Sequence, residues 1–255
     1  MKETLNRSLN KIPALTLAFW VMKICATTLG ETAGDLLSMT LNVGYSIASL
    51  ILLSFFFITL IAQLVSKKYH PVIYWMVILS TSTAGTTMSD YMDRTLALGY
   101  VTGTIILVTL LISILTIWKL VTKSISVTNI RSFRSELFYW IAILFSNTLG
   151  TALGDFLADS SGLGFFGGAA LIGSLLILTL LAYYFTKISR VALFWIAFVL
   201  TRPFGATFGD LLTKTTDKGG LNFGTIGSSA ILGGILIVLI VFEMMRHTKS
   251  NRESA

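Results

Sequence analysis

The chain has 255 residues, of which 54% are hydrophobic and only 12% charged, with a formal net charge of +7. Soluble domains carry roughly 25% charged residues, and one domain of this size cannot hide so much apolar surface from water. Lipid must therefore be the solvent for much of the surface, which excludes a soluble globular domain.

Apolar runs of spanning length, about 20 residues, follow one another near 13–37, 43–65, 71–93, 97–118, 136–158, 164–186, 191–213 and 224–245. The expected fold class is an all-α integral membrane protein of about eight transmembrane helices. The first run follows Lys2, Arg7 and Lys11, as the apolar part of a signal peptide would. It carries the repeat motif described below, however, and is read as retained. Cys25, the single cysteine, lies in the first span and has no partner for a disulfide within a chain. His70 and His247 sit at span ends, and no Cys/His spacing suits a metal.

The positive charge is unevenly placed. Lys2, Arg7, Lys11, Lys67, Lys68, Lys119, Lys123, Arg131, Arg134, Lys187, Arg190, Arg246, Lys249 and Arg252 fall on the N-terminal tail, the even-to-odd connections or the C-terminal tail. The opposite face has only Arg94, Lys214 and Lys218. This positive-inside bias places both termini in the cytoplasm, with the chain in the inner (plasma) membrane. The basic residues orient the protein in the bilayer and call for no nucleic-acid partner; oligomeric state is not legible.

Four segments run in parallel: FWVMKICATTLGETAGD, YWMVILSTSTAGTTMSD, YWIAILFSNTLGTALGD and FWIAFVLTRPFGATFGD. Each has an aromatic-Trp pair, a Gly ten residues after the Trp and an Asp fifteen after it. The quartets are Trp20, Trp75, Trp140, Trp195; Gly30, Gly85, Gly150, Gly205; and Asp35, Asp90, Asp155, Asp210. The units start 55, 65 and 55 residues apart. This divides the chain into a first half at 1–118 (repeats 1 and 2), a cytoplasmic linker at 119–135, a second half at 136–245 (repeats 3 and 4) and a cytoplasmic tail at 246–255. Each unit spans the membrane twice, so the repeats are parallel rather than inverted. Four units can surround a pseudo-fourfold axis, or two halves can face each other across a twofold; the spacing favours the second.

At 1.5 Å per residue each Asp lies about 22 Å beyond its Trp in a core about 30 Å thick, short of full exposure. The Gly and the small residue four later (Gly34, Ser89, Gly154, Gly209) form a small-xxx-small face for close helix packing. Positions seven and four before the Asp share its face: Thr28 and Glu31, Thr83 and Thr86, Thr148 and Thr151. Each stripe of oxygens ends in a carboxylate, with Asp93 and Asp159 one turn on. An acid at membrane depth costs about 2.5–3.5 kcal/mol and should face a cavity or a partner. Two structural roles compete with a binding site: capping of the next helix by the Asp, or pairing with a cation, for which Lys23 and Arg202 are the intramembrane candidates. The fourth unit departs from the pattern with Arg202, Pro203 and Ala206, making Arg202 a candidate built-in counter-ion or a static partner of Asp210 or Asp35. The Gly-rich even spans, the sixth and eighth above all, read as packing helices.

The repeated Gly-Asp motifs resemble those of a family of uncharacterised bacterial multi-pass membrane proteins, which implies this topology and assigns no activity. Glu31-Thr-Ala-Gly34-Asp35 is also similar, faintly, to the Glu-x-Gly-Asp-basic-hydroxyl motif of cation exchangers, with one residue more in the spacing and Leu36 in the basic position. Carboxylates with threonine hydroxyls are hard oxygen donors suited to divalent metal ions or protons. The resulting expectation is a non-enzymatic cation transporter without a cofactor. Asp35, Asp90, Asp155, Asp210 and Glu31 would be ligands, supported by Thr28, Thr83, Thr86, Thr148, Thr151 and Arg202. The rivals are a membrane scaffold or accessory subunit with structural aspartates, and a transporter of a small organic cation.

Overall fold

The structure is a computed structural model and describes residues 13, 15–127, 130 and 132–253. Of the basic residues expected on the cytoplasmic side, Lys2, Arg7, Lys11 and Arg131 lie outside the described residues, as do the side chains of Lys249 and Arg252. Eight long helices are present among the described residues: α1 (Leu17–Asp35), α2 (Tyr45–Val65), α3 (Pro71–Asp90), α4 (Tyr100–Thr122), α5 (Phe133–Asp155), α6 (Gly164–Phe185), α7 (Arg190–Thr213) and α8 (Thr225–Glu253). Starts are locally encoded: Thr16 accepts from the Phe19 amide at α1, Pro71 opens α3, and Ser132 accepts from the Ser135 amide at α5.

The odd-numbered helices carry the motifs and form an inner ring. Each packs on two neighbours in the order α1, α3, α5, α7 and back to α1. The even-numbered helices form an outer layer, and each lies on the motif helix of the next unit rather than its own: α2 on α3, α4 on α5, α6 on α7, and α8 back on α1. A repeat is therefore not a self-packed hairpin. Its second helix reaches across to its neighbour, and the fourth unit closes the circle on the first. All four inner junctions are of one kind, so the arrangement is cyclic and fourfold in its helices. The two facing halves that the repeat spacing favoured are not separate bodies.

Among the described residues, six helices are long and apolar enough to cross a membrane: α2, α4, α5 with its extension to Ser160, α6, α7 and α8. The motif helices α1 and α3 fall short of the eight spans expected by composition, and burial explains why. Thirteen of the 19 residues of α1 and fifteen of the 20 of α3 are buried against protein. The outer layer carries most of the surface that must satisfy lipid, and its exposed side chains include Leu50, Ile58, Ile61, Ile105, Ile112, Ile177, Ile237 and Val238. The molecule is a multi-pass membrane protein.

The glycines set how closely the inner helices approach. A Cβ on Gly85 would stand 2.9 Å from the Thr148 amide nitrogen of α5, and one on Gly205 2.8 Å from the Thr27 carbonyl carbon of α1. Gly30 faces Ser82 in the same way, and Gly150 faces Arg202. One turn on, Gly34 meets Thr86, Gly154 meets Ala206 and Gly209 meets Glu31. Packing is thus the role of the motif glycines. On the outer layer, Gly168 and Gly173 meet Thr207 and Phe204 of α7, whereas Gly227 and Gly234 of α8 meet nothing. The expected packing role therefore fails for these two glycines of the eighth span.

After the Asp, units one to three continue as π-helical turns at Leu36–Thr40, Tyr91–Thr95 and Phe156–Ser160. Each then reverses through a left-handed residue seven positions beyond the Asp (Asn42, Ala97, Gly162) and a positive-φ Gly two further on (Gly44, Gly99, Gly164). In the fourth unit the same pair is Asn222 and Gly224, five residues later, after a 3₁₀ turn at Thr216–Lys218.

Gly85→Ala and Gly205→Ala should each destabilise the fold by about 1–3 kcal/mol through overpacking against backbone. Gly227→Ala should be neutral or stabilise by up to about 1 kcal/mol. Thermal melts in detergent check both.

Candidate functional site

The ring interior is built in layers. At one end the aromatic residue before each motif Trp packs on the Trp of the next unit: Phe19–Trp75 at 5.7 Å, Tyr74–Trp140 at 5.5 Å, Tyr139–Trp195 at 6.5 Å and Phe194–Trp20 at 5.8 Å between ring centroids. The hydroxyls of Tyr74 and Tyr139 lie 2.7 Å apart, and Glu243 of α8 accepts from Tyr69 and from the Trp75 indole at 2.6 Å each. This layer closes the axis with rings. Below it Lys23, fully buried, sits 4.1 Å from the Phe198 ring centroid and donates to Asn147 Oδ1 at 3.5 Å. Asn147 Nδ2 in turn donates to Thr81 at 2.9 Å.

The centre belongs to Arg202. Its guanidinium is fully buried and pairs with Glu31 Oε2 at 3.0 Å. It donates to the hydroxyls of Thr86 and of Thr151, the latter at 2.6 Å. Thr86 and Thr151 also donate to Glu31 Oε2, at 3.3 and 3.4 Å. Glu31, Thr86 and Thr151 are the three residues four before the Asp in units one to three. Ala206 holds that place in unit four, and Arg202 reaches it from one turn away. All four motif helices meet here through side chains.

The four aspartates form the next layer, buried at 2–4% relative exposure. They are held in two pairs. Arg94 lies 3.0 Å from Asp90 and 3.1 Å from Asp155; Lys214 lies 2.6 Å from Asp35 and 3.0 Å from Asp210. Each cation stands four residues after the Asp of its own unit and bridges to the Asp of the next. The other two junctions have no such bridge, since Met39 and Asp159 occupy the equivalent positions. Glu31, Asp35 and Asp210 each offer an oxygen within 4.8 Å of the others, a spacing that suits one metal ion.

Four copies of one family repeat match the chain, described as a Repeat of Unknown Function (DUF347), at residues 18–69, 73–124, 138–189 and 193–248. The chain belongs to the DUF347 repeat family. Each DUF347 copy begins two residues before a motif Trp, in the same phase as the sequence repeat. No curated protein and no solved structure matches.

Within the DUF347 ring, the residues expected to share a site are divided. Glu31, Thr86, Thr151 and Arg202 converge, and Asp35 and Asp210 stand beside them. Asp90 and Asp155 belong to the separate Arg94 bridge. Thr28, Thr83 and Thr148 turn their hydroxyls to carbonyls of their own helices (Ile24, Leu79 and Leu144) and make no bond across the ring. Arg202 pairs with Glu31, not with Asp210 or Asp35. Capping is not seen at the helices after Asp35, Asp90 and Asp155 either: Gly44, Gly99 and Leu163 precede α2, α4 and α6, with no side-chain cap bond at any of them. Arg94 and Lys214 escaped notice as partners because they lie near a span end, where basic residues usually orient the chain. The signal was their position one helical turn after Asp90 and Asp210.

Arg202→Met should destabilise the protein by about 3–5 kcal/mol by stranding Glu31. Adding Glu31→Gln should restore most of that, whereas adding Asp210→Asn should not. Melts of the four corners of the Arg202/Glu31 cycle measure the coupling.

Proposed function

We propose that this DUF347 protein is a membrane transporter of cations, protons or divalent metal ions, working through the carboxylate end of its ring. The observation that carries the reading is a charge deficit. Glu31, Asp35, Asp90, Asp155 and Asp210 are all buried, while Arg202, Arg94 and Lys214 are the only basic groups paired with them among the described residues. Five ionised carboxylates facing three cations fall short by two positive charges. Buried acids in a membrane protein call for a counter-charge, and one divalent ion or two protons would make up this shortfall.

Access follows from the layers. The side chains of Arg94 and Lys214 are 31% and 20% exposed, so the carboxylate end is reachable from its face of the protein. The aromatic layer closes the other end. With the expected orientation, that carboxylate face is extracytoplasmic. Transport then requires the Glu31–Arg202 pair to rearrange, since it stands between the acids and Lys23. No chemical transformation is part of this function.

The scaffold reading has one observation in its favour: all four aspartates are ion-paired, so each has a structural use. A small organic cation has less, because Tyr45 and Tyr100, the rings around the acids, already face Arg94 at 5.8 and 5.9 Å.

Proton and Mn²⁺ flux into proteoliposomes should be measurable for the wild type and reduced at least about tenfold by Asp35→Asn and by Asp155→Asn, a rise of about 1.4 kcal/mol or more in the transport barrier. Equal flux in all three, or none in any, supports the scaffold. Orientation is checked separately. In a Cys25→Ser background, Asp217→Cys should react with membrane-impermeant maleimide on intact cells, and Lys67→Cys should be protected.

A further inference from the structure

We propose that Lys214 is a tethered occupant of the site formed by Glu31, Asp35 and Asp210, and that a free divalent cation binds there by displacing it. The inference rests on the transport reading only for the identity of the site; binding itself is independent of transport.

Three observations support it. First, Lys214 Nζ lies where an ion would, 2.6 Å from Asp35 Oδ2 and 3.0 Å from Asp210 Oδ1. Glu31, Asp35 and Asp210 offer oxygens within 4.8 Å of one another; the lysine pairs with the two aspartates, and Glu31 is held by Arg202.

Second, the fit of the lysine is incomplete. Asp35 receives a hydrogen bond from Nζ, but the buried Oδ1 of Asp210 accepts none despite the ammonium 3.0 Å away. That oxygen is ion-paired but poorly aligned with the ammonium, as Asp90 Oδ1 is with Arg94. An ammonium donates in three fixed directions, whereas a hard divalent cation collects six or more oxygens without directional demand. The ion can therefore take Asp210 Oδ1 without the alignment that the lysine lacks.

Third, Lys214 is mounted differently from Arg94. Arg94 sits inside the π turn Tyr91–Thr95 and spans Asp90 and Asp155 with separate nitrogens of a rigid fork, while its third nitrogen donates to the Tyr45 hydroxyl at 3.1 Å. Lys214 lies just past the end of α7, at the start of the five-residue insertion unique to the fourth unit. Its backbone is pinned by bonds from its amide to the Asp210 carbonyl and from the Asn222 amide to its own carbonyl, at 2.9 Å each. Four rotatable bonds then carry a compact charge to a position partly open to solvent. A pinned backbone with a free stem lets the ammonium swing outward while the loop stays in place. The Arg94 bridge is the fixed one of the two, and the Lys214 bridge the exchangeable one.

Mn²⁺ binding to the purified protein in detergent, followed by the EPR signal of free Mn²⁺, tests this. Lys214→Met should bind one Mn²⁺ per chain at least ten times more tightly than wild type, and Lys214→Arg should not. Asp35→Asn or Asp210→Asn placed in the Lys214→Met background should abolish the gain. Equal affinity in wild type and Lys214→Met, or no binding in either, overturns the proposal. The wild type supplies a measurement that needs no variant. Saturating Mn²⁺ should raise acylation of Lys214 by an amine reagent several-fold, read by mass spectrometry, and unchanged labelling also overturns it. Binding as described in a protein without flux removes the transport reading and leaves this one standing; flux indifferent to Lys214 does the reverse.

Discussion

The closeness of α1, α3, α5 and α7 is the constraint on which the rest of the structure depends. Helices with ordinary side chains at their contacts stand 8–10 Å apart, and small residues permit a closer approach. Here each inner helix turns a Gly towards the next, so that Ser82, Asn147, Arg202 and Thr27 lie against Gly30, Gly85, Gly150 and Gly205 in a closed circle. A narrow ring has room for little along its axis. One guanidinium can then reach side chains of three other helices, and four carboxylates must share one layer.

Four identical units would fail on such an axis. Like charges a few ångströms apart repel strongly in low dielectric, and identical positions would place four acids together with no cation. The departures from the repeat answer this where it arises. Arg202 meets Glu31 at the centre, and Arg94 and Lys214 appear one turn after the Asp in alternate units. The helices are therefore fourfold, while the bridges of the aspartate layer recur only in alternate units and the Arg202–Glu31 pair has no counterpart. The outer helices face lipid, which makes no such distinction, and they keep the simple repeat. The π turns belong to the same logic, since they carry the chain past the buried Asp in three units, and such turns often mark functional positions. The fourth unit instead has an inserted loop and an exchangeable lysine.

How much of this was legible in the sequence differs by element. The spans could be read because lipid demands about 20 apolar residues, and the eight helices lie close to the eight runs. The Trp, Gly and Asp quartets were legible because each does the same job four times. What a unit packs against was not: α2 lies on α3 rather than on α1, a choice between neighbours of equal apolarity. The two-half reading leaned on the longer middle spacing, but connection length at the membrane surface does not dictate which helix faces touch.

The site divides along the same line. The sequence by itself determined that acids lie at one depth, that Glu31, Thr86 and Thr151 share their face, and that Arg202 is the intramembrane exception, because helical period and span position place a residue on a face and at a height. Only the tertiary structure decided the partners: Arg202 with Glu31, Arg94 between Asp90 and Asp155, Lys214 between Asp35 and Asp210. Each bridge joins different units, and its existence depends on ring order and crossing distance. Those are set by glycine contacts between helices far apart in the chain, which no local spacing encodes.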